Sequence, residues 1–184
     1  AQSPKAWLDQ PRLAETLAKS LIAHQDPAKA SAVLHNALLK SPFDQALLAT
    51  QSIAWRLLDD PREQWLCDYD RFVWRIKLRD DHLAALEQYL RGTHQNRREP
   101  LRQSLKNGTQ TSGNLLGRNV DVLNQTRASI VTGLSTYLDA FSTDDSHPFL
   151  ARRSNAIRFA GSWSVLLQDG GRHSNHFHQE GWIS

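Results

Sequence analysis

Four prolines divide the first third of the chain into helical segments of similar length, and they constrain the fold more than any other feature. An apolar pattern of helical period runs from Ala6 to about Leu58. Pro11 and the Asp26-Pro27 pair suit the start of a helix, where the N–H that proline lacks would have no partner. Pro42 and Pro61 follow helical patterns and end them. The spacing predicts consecutive helices that stack as antiparallel pairs.

The second segment ends in a pattern similar to a tetratricopeptide unit. Residues 37–44 read ALLKSPFD, in which alanine allows close helix contact and proline ends the pair. A generic α-hairpin is equally compatible, because a single repeat has no neighbours to bury its faces. We interpret residues 1–92 as an N-terminal antiparallel helical region, tetratricopeptide-like and without visible chemistry.

Large aromatic residues are concentrated between Ala54 and Leu78. Cys67 lies among them with no lysine or histidine close in sequence, which predicts a buried structural thiol rather than a nucleophile. We expect the aromatic side chains to seal the joint between helices rather than to form a ligand cage. They are Trp55, Trp65, Tyr69, Phe72 and Trp74.

Composition excludes several classes of protein. No run approaches the ~20 apolar residues of a membrane span and the N-terminus lacks the apolar core of a signal peptide, so we expect a soluble, cytoplasmic protein without a membrane partner. A single cysteine excludes an internal disulfide framework. The net charge of +3 is mild, and the basic stretch from Arg91 to Lys106 lacks stacking aromatics, so no nucleic-acid partner is expected.

The second half of the chain differs from the first in composition and in predicted secondary structure. Helical patterns span about 81–91 and 120–141, and the polar, glycine-bearing residues 92–117 predict turn-linked extended structure. Residues 158–167 predict a strand. The turn Gln168-Asp169-Gly170-Gly171 would then reverse the chain, because Gly supplies the positive φ of tight hairpins. A returning strand from Arg172 would carry the histidines.

Three histidines lie within six residues near the C-terminus. In an extended strand alternate side chains share a face, so His176 and His178 would point the same way and could hold one metal ion. Neutral imidazoles suit iron, zinc, copper or nickel. His173 is out of phase with that pair, and we assign it a supporting or substrate-facing role. The pattern predicts half of a metal site.

These residues resemble a family of 2-oxoglutarate and Fe(II)-dependent oxygenases that often follows helical repeats. The resemblance covers about residues 96–184. It is carried by His147-Pro148-Phe149-Leu150, Gly161-Ser162-Trp163-Ser164-Val165-Leu166-Leu167, Gly170-Gly171, His176-Phe177-His178 and Gly181-Trp182-Ile183-Ser184, with Gln103-Ser104-Leu105 and Gly108-Thr109-Gln110-Thr111 upstream.

The resemblance implies an α+β fold in which residues 93–184 are the N-terminal part of an oxygenase-like domain, the opening strands of a double-stranded β-helix (jelly-roll) core. His176 matches the first iron ligand. His178 occupies the position of the usual carboxylate ligand, so an all-histidine face is implied. The distal histidine and the arginine that binds 2-oxoglutarate would follow Ser184. Because this chain lacks them, we expect it to be a fragment that is inactive alone.

The implied reaction is hydroxylation of a protein, peptide or small molecule, with Fe(II) and 2-oxoglutarate as cofactors and the helical region docking the substrate or a partner. Trp182 and Ser184 would shape the pocket, and Trp163 would lie in the core beneath it. Two alternatives stay open. One is a non-catalytic helical-repeat interaction module, and the other is a cupin-like metal enzyme, for which Glu180 comes too soon after His178.

Overall fold

A computed structural model of the chain describes residues 10–79, 81–94, 104–178 and 181–183. The described part is α+β, as the sequence predicts. It forms two compact units. The first comprises the described residues of Ala1–Trp74, Ser142–Arg153 and Phe177–Ser184, and the second those of Arg75–Phe141 and Ser154–His176.

Three helices begin the first unit, and their ends follow the prolines. They are α1 (Pro11–Ala23), α2 (Pro27–Leu38) and α3 (Gln45–Leu57). Asp26 caps α2 by accepting a hydrogen bond from the backbone N of Lys29 at 3.1 Å, and Asp44 caps α3 through the N of Leu47 at 3.0 Å. Each cap satisfies a backbone donor that the first helical turn leaves unpaired. The predicted helices are confirmed.

Small side chains form the contact between these helices. The core of the first unit is dominated by alanines, with two leucines between them: Ala14, Ala18, Ala30, Ala37, Ala54, Leu34 and Leu47. On α1 the alanine row is buried, whereas Leu13 and Leu17 on the neighbouring row stay exposed. Short side chains let the helix axes approach, so dispersion contacts are made largely along the backbones.

The aromatic segment after α3 continues in two short helices, α4 (Arg62–Cys67) and α5 (Tyr69–Phe72). Trp55 is buried, as expected for a side chain that seals the helix joint. Trp65, Tyr69 and Trp74 are each about half exposed, so these three side chains are only partly covered.

The second unit contains α6 (Leu83–Thr93) and α7 (Asp121–Asp139), which confirm the two predicted helices. They pack around a core of Leu115, Leu116 and Leu123, the first two of which lie in a 3₁₀ turn, Leu115–Gly117. Side chains of α6 and α7 that cover this core include Leu86, Leu90 and Ile130.

The sheet of the second unit differs from the prediction. Strand β1 (Leu105–Gln110) pairs antiparallel with β2 (Val165–His173), and β2 runs through residues 168–171, where the sequence predicts a hairpin turn. The predicted strand at 158–167 begins only at Val165. The returning strand from Arg172 is also wrong, because β2 ends at His173 and the chain there pairs with β1.

A bulge explains the error. Lys106 faces Arg172 and Gly108 faces Leu167, which leaves Asn107 alone against residues 168–171. The Asn107 side chain donates a hydrogen bond to the carbonyl of Asp169 at 2.6 Å, and Gly170 adopts φ +74°. A Cβ on Gly171 would lie 2.5 Å from the Asn107 carbonyl oxygen. The glycines therefore serve a bulge within a strand, not a reversal.

None of the helices in the described ranges is both long and apolar enough to cross a membrane.

The alanine-lined helix contact generates a prediction. Ala30→Leu should lower the free energy of unfolding by about 1–3 kcal/mol, because Ala30 is completely buried and the larger side chain overpacks the contact. Ala28→Leu, on the exposed side of the same helix, is the matched control and should change it by less than about 0.5 kcal/mol. Urea denaturation followed by circular dichroism measures both, and equal destabilisation would contradict the assignment.

Candidate functional site

The histidine-rich segment begins at the end of β2. His173 lies opposite Leu105 in the ladder, and its Nδ1 is 3.1 Å from the hydroxyl of Ser104. The backbone N of Ser174 donates to the carbonyl of Ser104 at 2.8 Å, which extends the pairing by one residue. Beyond this point the chain is irregular, so His176 and His178 lie outside the strand.

The two imidazole rings of the second unit that lie side by side are those of His173 and His176. Their centroids are 5.5 Å apart, with an angle of 33° between the ring planes, and both side chains are exposed. Because β2 ends at His173, the premise that a regular strand aligns His176 with His178 is wrong. The assignment of His176 and His178 as metal ligands stays a prediction, and the structure adds His173 as a neighbour of His176.

The hydrogen bonding of His176 determines its tautomer. Its Nδ1 is 2.8 Å from the carbonyl oxygen of Ser174. A carbonyl oxygen only accepts hydrogen bonds, so Nδ1 carries the proton and the lone pair of the neutral ring is on Nε2. Metal-binding histidines commonly have this arrangement, in which a backbone carbonyl orients the ring from the opposite nitrogen.

Phe177, between the two predicted ligands, belongs to the first unit. Lys19 on α1 places its Nζ 5.1 Å from the centroid of the Phe177 ring, and Glu15 forms an ion pair with the same ammonium group. A cation over an aromatic face is attracted by the quadrupole of the ring. Phe177 is therefore held within the first unit, and the exposed His178 follows it.

The donor set fits part of a metal site. Imidazole nitrogens bind Fe(II), and two rings whose centroids lie roughly 5 Å apart can share one ion with nitrogen-to-metal distances near 2.1 Å. Within the described ranges, no group of three or more histidine, cysteine, aspartate or glutamate side chains could hold a metal ion. The described residues bring together two imidazoles, those of His173 and His176.

A second histidine, His94 at the end of α6, holds the sheet to that helix. Its Nδ1 lies 2.8 Å from the hydroxyl of Thr109 on β1, and its Nε2 lies 3.0 Å from the hydroxyl of Ser164 just before β2. The side chain is buried. Thr111 and Ser164 continue the pairing, since the N of Thr111 donates to the Ser164 carbonyl at 3.0 Å. His94 therefore has a structural role in joining three segments.

His147 has a similar role in the first unit. Its Nε2 is 3.0 Å from the Trp65 carbonyl and therefore donates, while its Nδ1 accepts from the backbone N of Phe149 at 3.2 Å and of Leu150 at 3.4 Å. The ring is 2% exposed and packs edge-on to Trp65 at a centroid distance of 4.8 Å. The geometry selects the neutral Nε2–H tautomer.

Aromatic rings surround His147. Phe72 lies 5.2 Å from the His147 ring and 5.1 Å from Phe149, and Phe149 lies 5.2 Å from Trp182. The indole N–H of Trp182 donates to the Phe149 carbonyl at 3.0 Å. Trp182 therefore packs into this aromatic cluster, which comprises Trp65, Phe72, His147, Phe149 and Trp182. Its predicted role in shaping a substrate pocket remains a prediction.

Other predicted residues have mixed outcomes. Trp163 was expected in the core but is 43% exposed, because it lies in the irregular segment before β2, so that expectation is wrong. Gln103, Glu180 and Ser184 lie outside the described residues.

Cys67 is half-buried, and burial raises the pKa of its thiol, with the nearby Glu63 carboxylate adding to the effect. A raised pKa disfavours the thiolate and agrees with a structural cysteine.

Sequence patterns missed the structural roles of His94 and His147. Each histidine is isolated in the sequence. The two partners of His94 and the Trp65 partner of His147 are 15 to 82 residues away in the chain, and only the Phe149 and Leu150 partners of His147 are local. The helix break at His147-Pro148 was the only local signal. Hydrogen bonds of this kind depend on long-range packing.

Comparison of the chain with protein-family models, with curated proteins and with solved structures finds no match.

The buried imidazole generates a prediction. His147→Phe keeps a ring in the aromatic cluster but leaves the Trp65 carbonyl and two backbone N–H groups without their partner, so the free energy of unfolding should fall by about 3 kcal/mol. His35→Phe, at an exposed position of α2, should change it by less than about 0.5 kcal/mol. Chemical denaturation measures both variants. If they unfold alike, the hydrogen bonds of His147 do not stabilise the unit.

The thiol generates a prediction with a defined pH dependence. Because burial raises its pKa, Cys67 has less thiolate in the folded chain than in the unfolded chain at any pH near 8. Iodoacetamide should therefore alkylate it more slowly in the native protein than in urea, and the difference should shrink as the pH rises above the native pKa. Mass spectrometry measures the two rates. A faster native rate would instead indicate an activated cysteine.

Proposed function

We propose that this chain belongs to a cytoplasmic protein that hydroxylates a protein, peptide or small-molecule substrate with Fe(II) and 2-oxoglutarate. In this proposal β1 and β2 are opening strands of a jelly-roll core, and α1 to α3 form a tetratricopeptide-like unit that docks the substrate or a partner. His176 and His178 contribute iron ligands.

The observation that carries the proposal is the orientation of the His176 ring. The Ser174 carbonyl holds the proton on Nδ1, so the nitrogen at the opposite side of the ring has the lone pair that a metal requires. The ring lies three residues after the end of β2, at a position that matches the first ligand of the family that the sequence resembles.

His173 is a further donor for the same ion. Its ring lies 5.5 Å from that of His176, and the Ser104 hydroxyl contacts its Nδ1 and can orient it in the same way. We propose His173 as a ligand that substitutes for His178, or as a base next to the metal. The metal-binding variants below separate these roles.

Two further contacts hold residues of the C-terminal segment, Phe177 and Trp182, in position. Lys19 anchors Phe177, the residue before His178. Trp182 is held by the Phe149 carbonyl, which fixes the segment that follows. Fe(II) with open coordination positions would supply oxidation of the substrate by dioxygen, coupled to conversion of 2-oxoglutarate into succinate and carbon dioxide.

Metal binding tests the proposal on this chain. Co(II) is a dioxygen-stable substitute for Fe(II), and its visible absorption reports ligation by imidazole. We expect His176→Gln to weaken Co(II) binding by at least about tenfold. His24→Gln, at an exposed histidine after α1, should leave it unchanged. Comparison of His173→Gln with His178→Gln identifies the second ligand as the one whose loss has the larger effect.

Catalysis requires a second measurement, made on a protein that contains this chain. With Fe(II), 2-oxoglutarate and a peptide library, it should release succinate, and His176→Gln should abolish the release. Co(II) binding without succinate release from any substrate would support a metal-binding interaction module instead. Absence of both would refute the proposal.

A further inference from the structure

The first unit contains a polar cavity that is not part of the histidine segment. It lies where the start of α1, the residues before α3 and the 3₁₀ turn Leu150–Arg152 meet, and its volume is about 330 Å³. The side chains that line it and that matter here are those of Arg12, Glu15, Phe43, Asp44, Gln45 and Arg152.

The two acidic side chains of this cavity are already partnered. Glu15 forms an ion pair with Lys19, one turn further along α1. The Asp44 carboxylate accepts the backbone N–H of Leu47 at 3.0 Å and lies at the N-terminal end of α3, where the helix dipole favours a negative charge. Neither carboxylate is engaged with an arginine of the cavity.

The two guanidinium groups have no such partners. Within the described residues, neither Arg12 nor Arg152 forms an ion pair or a side-chain hydrogen bond. Two unpaired cations that line one cavity repel each other unless an anion lies between them. Together with Lys19, which neutralises Glu15, the groups at the cavity are three cations and two carboxylates, so they have a net formal charge of one positive unit.

Arg152 is also held in position before any ligand arrives. The His147 ring accepts hydrogen bonds from the backbone N–H groups of Phe149 and Leu150, and Leu150 is buried. The backbone N of Arg152 in turn donates to the Phe149 carbonyl at 3.3 Å. The guanidinium carbon lies 6.0 Å from the centroid of the Phe43 ring, a cation–π distance. An arginine fixed in this way loses less conformational entropy when it binds an anion.

We propose that this cavity binds a small dianionic oxyanion, the phosphate or dicarboxylate group of a ligand, between Arg12 and Arg152. The planar guanidinium fork matches the oxygen geometry of both groups. The Gln45 side chain, which also lines the cavity, supplies a neutral donor beside them. This site does not depend on the proposed oxygenase activity, because it uses no histidine of the C-terminal segment.

Isothermal titration of the intact chain at constant ionic strength tests the proposal, with inorganic phosphate and malonate as the two probes. We expect saturable binding of at least one of them. Stronger binding of phosphate would identify a phosphoryl ligand, and stronger binding of malonate a dicarboxylate. Arg12→Gln and Arg152→Gln should each weaken the preferred probe by about tenfold or more.

Arg127→Gln is the matched control, because Arg127 is an exposed arginine of α7 that does not line the cavity. It should bind the preferred probe as the unchanged chain does. Arg12 is exposed on α1, where glutamine is a good helix former, so its variant should fold even if Arg152→Gln does not. Absence of saturable binding of both probes, or equal weakening by Arg12→Gln and Arg127→Gln, would overturn the proposal.

Discussion

The hydrogen bonds of the buried His147 ring are the constraint on which much of the first unit depends. One imidazole accepts two backbone N–H groups from the turn that follows it and donates to a carbonyl of α4. An unpaired buried backbone group is costly, so the ring simultaneously shapes the turn and attaches it to the helices. The aromatic cluster around the ring, the position of Arg152 and the anchoring of Trp182 to Phe149 all follow from this attachment.

Local signals predicted the helices well because their ends are determined by nearby residues. Pro11 and Pro27 start α1 and α2, and the caps at Asp26 and Asp44 act within three residues. The sheet was predicted poorly because strand pairing is decided between residues far apart. Gln168 to Gly171 have the composition of a hairpin turn, but their partner in the fold is Asn107, which no local pattern indicates.

The candidate site shows the same division between local and long-range information. The density of histidines near the C-terminus is visible in the sequence, whereas the proximity of His173 to His176 depends on where β2 ends. Similar imidazoles also have different roles here. His94 and His147 are buried and use both ring nitrogens in hydrogen bonds, while His176 is exposed and its Nδ1 donates to the carbonyl of Ser174. The contacts of each ring distinguish these roles, and the residue type alone does not.

The bulge in β2 also affects how this chain behaves beside other copies of itself. In the described residues the sheet has only two strands, so each has an edge with backbone groups that another chain could pair with. Leu166 and Leu167 are partly exposed on β2, which adds an apolar surface to that edge. Residues 168–171 interrupt the regular row of donors and acceptors directly after these leucines. The same glycines that accommodate Asn107 thereby shorten the part of the β2 edge with which a strand of a second molecule could pair.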